Sequence, residues 1–171
     1  MGLTIGLVLG GLTVLWIAWN FTLDALWQPT DRVTVQRILF LAKLQVGEHL
    51  VDLGCGDGRI VIAAARAYDV RATGVEIDPF RVLLGRLWIF FAGLGNRARI
   101  VRRNMYTFDL SGVDVVILFL SATANFKLQT KLKRELRPGA RVVSYYHPMW
   151  GWTPTTTGEA RDGYAIYVYE M

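Results

Sequence analysis

The sequence predicts an α/β fold: a doubly wound, Rossmann-like sheet of mostly parallel strands with an antiparallel edge strand, preceded by one N-terminal transmembrane helix. Three observations predict it. Residues 51–60 read Val-Asp-Leu-Gly-Cys-Gly-Asp-Gly-Arg-Ile, an apolar run entering a turn with glycine at every second position. A second apolar run closes on Gly74-Val75-Glu76-Ile77-Asp78, and the intervening stretch 59–67 has helical character, so the three segments make a βαβ unit. Finally, residues 1–23 contain no charged side chain, whereas apolar runs alternate with amphipathic stretches through the rest of the chain.

The N-terminal segment comes first in order. Residues 3–19 are almost wholly apolar, and with 20–23 added a helix would cross roughly 30 Å of hydrocarbon. Trp16, Trp19 and Trp27 crowd its C-terminal end, where amphipathic rings favour the membrane interface. A signal peptide fits less well, because no Lys or Arg precedes the apolar run and no small-residue cleavage site follows it. Arg32, Arg37 and Lys43 all lie on the far side, so the expectation is a single-pass anchor over 1–23, inserted in a lipid bilayer, with a domain over 27–171 facing the cytoplasm or its topological equivalent. Gly2, Gly6 and Gly10 form a small-residue stripe through which two such helices could pack as a homodimer.

The remaining elements follow from punctuation and period. Pro29 and Thr30 open a helix with Val35, Ile38, Leu39 and Ala42 on one face and Thr30 or Asp31 as its cap. Pro79 starts another, through about Ala92, which Gly93, Gly95 and Asn96 break. Residues 99–102 read as a short strand, and the apolar run 113–120 as a strand covered on both faces. Leu128, Leu132 and Leu136 line one face of a helix over 123–136, and Pro138-Gly139 turns into a strand over 140–146. Residues 164–169 alternate, as an antiparallel edge strand does.

The glycine turn also constrains its ligand. Gly54, Gly56 and Gly58 let the backbone approach a bound molecule, and an acid at the second strand's tip, Glu76, can accept ribose hydroxyls. A dinucleotide fingerprint needs its third glycine where this chain has Arg59. Asp57 between the glycines would repel a phosphate but accept hydrogen bonds from an ammonium. S-adenosylmethionine offers a ribose, an amino acid head group and no phosphate, so it is the expected cofactor in preference to NAD.

Composition narrows the field further. The 171 residues are 53% hydrophobic, enough for one domain's core, and the net charge of +5 is modest. Cys55, the only cysteine, excludes an internal disulfide and reads as a small packing residue inside the turn. His49 and His147 lack a second ligand at metal spacing, so no metal site is expected.

On the residues 52–59, Asp-Leu-Gly-Cys-Gly-Asp-Gly-Arg, on Gly-Val-Glu-Ile at 74–77, and on the run 131–144 followed by Gly151-Trp152, the chain resembles the small seven-β-strand protein lysine methyltransferases of class I. That group includes a broad-specificity crenarchaeal enzyme and membrane-anchored mitochondrial enzymes. The resemblance implies cofactor contacts from Asp52, Gly54, Cys55, Gly56, Asp57, Gly58, Glu76 and Ile77, with Asn104 and Met105 near the adenine and Pro29 and Thr30 folded over the site. It implies that Phe119, Leu120 and Asn125 flank the transferred methyl; Tyr145 is a further expected catalytic residue, as one of the candidate aromatic walls. The chain departs from the family at Trp27 and at Tyr145-Tyr146-His147, which bears on the acceptor.

The chemistry asks mainly for geometry. An uncharged amine must be held in line with the methyl while water is excluded, and Tyr106, Phe119, Tyr145, Tyr146, Trp150 and Trp152 are candidate walls. The expected acceptor is a lysine in a membrane-associated protein. A lipid or quinone methyltransferase and a non-catalytic cofactor-binding protein are the alternatives. No nucleic acid partner is expected, because residues 120–125 read Leu-Ser-Ala-Thr-Ala-Asn rather than the Asn/Asp-Pro-Pro-Tyr of enzymes that methylate nucleobase or glutamine nitrogens.

Overall fold

The computed structural model describes residues 28–171. Its elements run α1 (Arg32–Leu41), β1 (His49–Leu53), α2 (Arg59–Ala67), β2 (Arg71–Glu76), α3 (Pro79–Phe91), β3 (Ala98–Arg102), β4 (Val115–Leu118), α4 (Ala122–Glu135), β5 (Arg141–Tyr145), β6 (Thr156–Glu159) and β7 (Ala165–Glu170). The strands form one seven-stranded sheet in the order β3-β2-β1-β4-β5-β7-β6. The first five pair parallel, and β7 joins β5 and β6 antiparallel. The predicted fold class therefore holds for the sheet, with an antiparallel pair at its edge; the strand expected at the edge itself, β7, is covered by β6.

Helix boundaries follow local chemistry. Asp31 rather than Thr30 caps α1, accepting from Val33 N at 2.9 Å and Thr34 N at 3.2 Å. Asp78 caps α3 ahead of Pro79, and Ser121 caps α4 by accepting from Ala124 N at 3.1 Å. The sheet is buried on both faces: Val35, Ile38, Val61, Ala64 and Ile89 cover one, and Leu128, Leu132 and Met149 the other. Each of these larger side chains contributes about 1.5–3 kcal/mol through burial. β4 spans only part of the run 113–120; just before it Asp114 bonds both neighbouring strands, its N donating to His49 O at 2.9 Å and its O accepting from Arg141 N at 2.8 Å, while its carboxylate accepts from His49 N at 2.7 Å and pairs with Arg137. β6 escapes sequence reading because Thr156-Thr-Gly-Glu159 is a polar edge, tied to the sheet by backbone bonds to β7.

The expected membrane localisation is corrected here. Among the described residues no helix is long and apolar enough to cross a membrane. The longest, α4, has 14 residues and one apolar face, against the roughly 20 apolar residues that a span requires. The stretch 3–23, the tryptophans at its end and the Gly2, Gly6, Gly10 stripe lie outside the described residues.

Candidate active site

Strands β1 and β4 are neighbours, but their following helices lie on opposite faces of the sheet. At such a switch point the C-terminal strand ends open into a crevice. The glycine turn fills the mouth of β1. It is anchored by Gly54 N and Cys55 N, which donate to Val75 O at 2.8 and 3.1 Å. Gly58 starts α2 with φ +79°, and a Cβ there would meet Ile100 Cδ1 at 2.5 Å. Gly85 of α3 is a less obvious requirement. A Cβ at Gly85 would lie 2.7 Å from Asp57 O, so α3 reaches the back of the turn only because this residue lacks one.

A cavity of about 250 Å³ lies over the turn. Pro29 and Thr30 cover it; Asp52, Gly54, Cys55, Gly56 and Asp57 form its floor; Glu76, Ile77, Asn104 and Met105 stand on one side, and Phe119 and Leu120 on the other. The expected cofactor residues thus converge, except Gly58, which acts through the backbone behind the lining. Arg59, Arg81, Arg103 and Tyr106 also line the cavity without having been singled out as cofactor contacts. Arg59 carried a signal, since it occupies the position a third fingerprint glycine would need.

Three buried carboxylates face this space with different partners. Glu76 accepts from Gly56 N at 2.9 Å, Ile77 N at 2.8 Å and Asp78 N at 2.9 Å. Because a carboxylate offers about four acceptor positions, Glu76 engages two ribose hydroxyls only by sharing or releasing a backbone bond. Asp57 is clamped by Arg59, with Nε to Oδ1 at 2.9 Å and Nη2 to Oδ2 at 2.5 Å. The same guanidinium donates from Nη1 to Thr30 O at 2.7 Å, tying the glycine turn to the segment that covers it. Asp57 thus has an intramolecular counter-ion in Arg59 while still lining the cavity. Asp52 has no hydrogen-bond partner for its carboxyl among the described residues. Burial, then Glu76 and Asp57, push it up to about 8. The charge suppressed in this way is the one a cationic ligand would restore. Burial, with Asp52, Glu76 and Asp57 adding to it, also pushes the Cys55 thiol up, which fits packing and not nucleophilic attack.

A second cavity, about 380 Å³, adjoins the first across Gln28, Pro29, Thr30 and Phe119. Its remaining walls are Tyr145, Tyr146, Tyr164, Asp31 and Asp162. The Phe119 and Tyr145 rings lie 4.5 Å apart, and Tyr146 packs on Tyr164 at 4.2 Å. Tyr146 holds φ at +75°, a strain of about 1–2 kcal/mol for a residue with a Cβ. Asn125 supports that turn. Its Nδ2 donates to Ser144 Oγ and His147 O at 3.0 Å each, and Ser144 Oγ donates to His147 O at 2.6 Å. Asn125 lines neither cavity, since Ser121 caps α4 and turns this side chain toward β5. Of the candidate aromatic walls, Trp150 is exposed beside Phe126 and Trp152 packs on Tyr169 at 5.6 Å, so neither reaches the site.

The sequence matches the ANTKMT methyltransferase domain over residues 52–156. It is 40% identical to a protein-lysine N-methyltransferase of Saccharolobus islandicus over 145 residues, covering 82% of this chain and 90% of that protein. It is 36% identical to the adenine nucleotide translocase lysine N-methyltransferase of Mus musculus over 138 residues, covering 80% of this chain and 59% of that longer protein. Among solved structures, one described as an RNA methyltransferase from Salinibacter ruber, in complex with S-adenosyl-L-homocysteine, superposes with a TM-score of 0.81 at 37% identity. That superposition covers 84% of this chain and 93% of the other.

Proposed function

The chain belongs to the ANTKMT methyltransferase family, and on that premise we propose that it moves a methyl group from S-adenosylmethionine to the side-chain nitrogen of a protein lysine. The observation that carries this reading is the relative named a protein-lysine N-methyltransferase, matched over nearly its whole length. The local chemistry supports it. Glu76 sits where a ribose would be held, and Asp52 is an anion suppressed for want of a cation. Pro29 and Thr30, locked to the turn through Arg59, keep water from the reacting atoms. Asn104 and Met105 close the adenine side, while Phe119 and Leu120 separate the cofactor from the acceptor. The cofactor supplies a methyl on a sulfonium, already an excellent leaving group, so the protein's own task is to bind, orient and desolvate.

A second reading, methyl transfer to RNA, draws on the solved relative's description. The acceptor-side cavity argues against it, because Asp31 and Asp162 line that space and carboxylates repel a phosphate backbone. One experiment separates the readings. Labelled S-adenosylmethionine is incubated with the enzyme and, separately, a protein extract, total RNA and a lipid extract. Methyl groups mapped by mass spectrometry to lysine are the expected result, and label confined to RNA or lipid refutes the proposal.

A further inference from the structure

Resting on the lysine reading above, we propose that the second cavity is the acceptor site and that Asp162, together with Tyr145, makes it selective for an N–H donor. Three observations lead there. The cavity adjoins the cofactor cavity through Pro29, Thr30 and Phe119, which line both, so a chain entering from the Tyr146 and Tyr164 side reaches the expected methyl position past Phe119. Its walls are aromatic, suited to the methylene stem of a lysine and to a cation over ring faces. Its two charged groups, Asp31 and Asp162, are both carboxylates, and one of them fixes the sense of the buried phenol. Tyr145 Oη donates its only proton to Asp162 Oδ2, leaving just lone pairs on the phenol oxygen to face a ligand. Asp162 and Asp31 are acceptors as carboxylates. Asp31 accepts three hydrogen bonds, from Val33 N, Thr34 N and Thr34 Oγ1, whereas Asp162 accepts two, from Tyr145 Oη and from Tyr164 N at 3.2 Å, so Asp162 keeps the greater acceptor capacity.

An amine satisfies the Tyr145–Asp162 pair, whereas a carboxylate or phosphate meets two carboxylates of its own sign. Asp162 is exposed and Tyr145 is buried, so the two divide the work by depth. Asp162 at the mouth captures the ammonium. The amine, after losing one proton to bulk water, donates an N–H to Tyr145 Oη and directs its lone pair inward. A nitrogen–carbon bond then forms, the carbon–sulfur bond breaks, and its electron pair stays on sulfur.

The test uses a fluorescent lysine peptide and its norleucine counterpart, with S-adenosylhomocysteine present, on the wild-type chain, Asp162→Asn and Tyr145→Phe. The wild type should bind the lysine peptide at least tenfold more tightly by anisotropy, and Asp162→Asn should erase that preference and raise KM about tenfold with little change in kcat. Tyr145→Phe should lower kcat at least tenfold. Both variants should bind S-adenosylhomocysteine as the wild type does, which also reports that they fold. If the wild type methylates lysine but Asp162→Asn keeps the peptide preference and KM, or Tyr145→Phe keeps kcat, the acceptor assignment falls and the functional reading stands. If the wild type leaves lysine unmethylated, both fall.

Discussion

Asp52 is expected to link cofactor binding to proton release, and Asp52→Asn isolates that link. The carboxyl is raised from 3.8 to about 8, first by burial and then by the charges of Glu76 and Asp57. At pH 7 about nine chains in ten therefore hold Asp52 neutral. A ligand bringing an ammonium and a sulfonium beside it favours the ionised form, so the free site must release that proton as the cofactor enters. Affinity should rise about tenfold per pH unit from roughly pH 6 toward 8 and level off above. The sign for stability is opposite. The unfolded chain loses this proton from pH 3.8 upward while the folded chain keeps it to about 8, so stability without cofactor falls across that window and is flat above it. At pH 7 the suppressed charge costs the fold on the order of 4 kcal/mol relative to an unshifted carboxyl. Asp52→Asn removes the titration. It should raise the cofactor-free Tm at neutral pH, weaken S-adenosylhomocysteine binding by about 10- to 100-fold from the loss of a charged hydrogen bond, and flatten the pH dependence. Calorimetry in buffers of differing ionisation enthalpy measures the proton count directly, about 0.9 released at pH 7 by the wild type. A wild-type affinity unchanged between pH 6 and 8, or the same slope in Asp52→Asn, refutes the argument.

Other perturbations test the neighbouring contacts. Glu76→Ala should cost about 2 kcal/mol of cofactor affinity, read by titration calorimetry, because it removes the ribose acceptor and frees the N–H groups of Gly56, Ile77 and Asp78. Arg59→Ala leaves Asp57 buried and unpaired and unties Thr30; it should weaken cofactor binding at least tenfold and speed proteolysis near residues 28–31. Gly85→Ala drives a Cβ against Asp57 O and should lower Tm and cofactor affinity together by about 1–3 kcal/mol. Leu132→Ala, far from both cavities, empties a fully buried position and should cost about 2–5 kcal/mol in denaturant unfolding, with S-adenosylhomocysteine affinity unchanged.

Much of the cofactor half was legible in the sequence because its determinants are local. Glycine at 54, 56 and 58, an acid at the tip of the next strand and a short helix between them belong to one βαβ unit, whose geometry follows from strand period and backbone freedom alone. The apolar faces of α1 and α4 were readable for the same reason, as was an antiparallel strand from the alternation at 164–169, although that strand lies inside the edge rather than at it. The acceptor half is a different case. Tyr164 and Asp162 lie in the turn between β6 and β7, and they meet Phe119 and Pro29 only because β7 inserts between β5 and a polar edge strand that leaves no apolar trace. Nor does spacing reveal that Arg59 pairs with Asp57, that Asp52 is left to be suppressed, or that Asn125 bonds Ser144 of β5 and the turn after it. Sequence period decides which residues share a face or a turn. Which distant faces meet, and which charge is desolvated beside which, was decided by the strand order of the finished sheet, because burial and Coulomb interactions depend on distances that exist only once the chain has closed on itself.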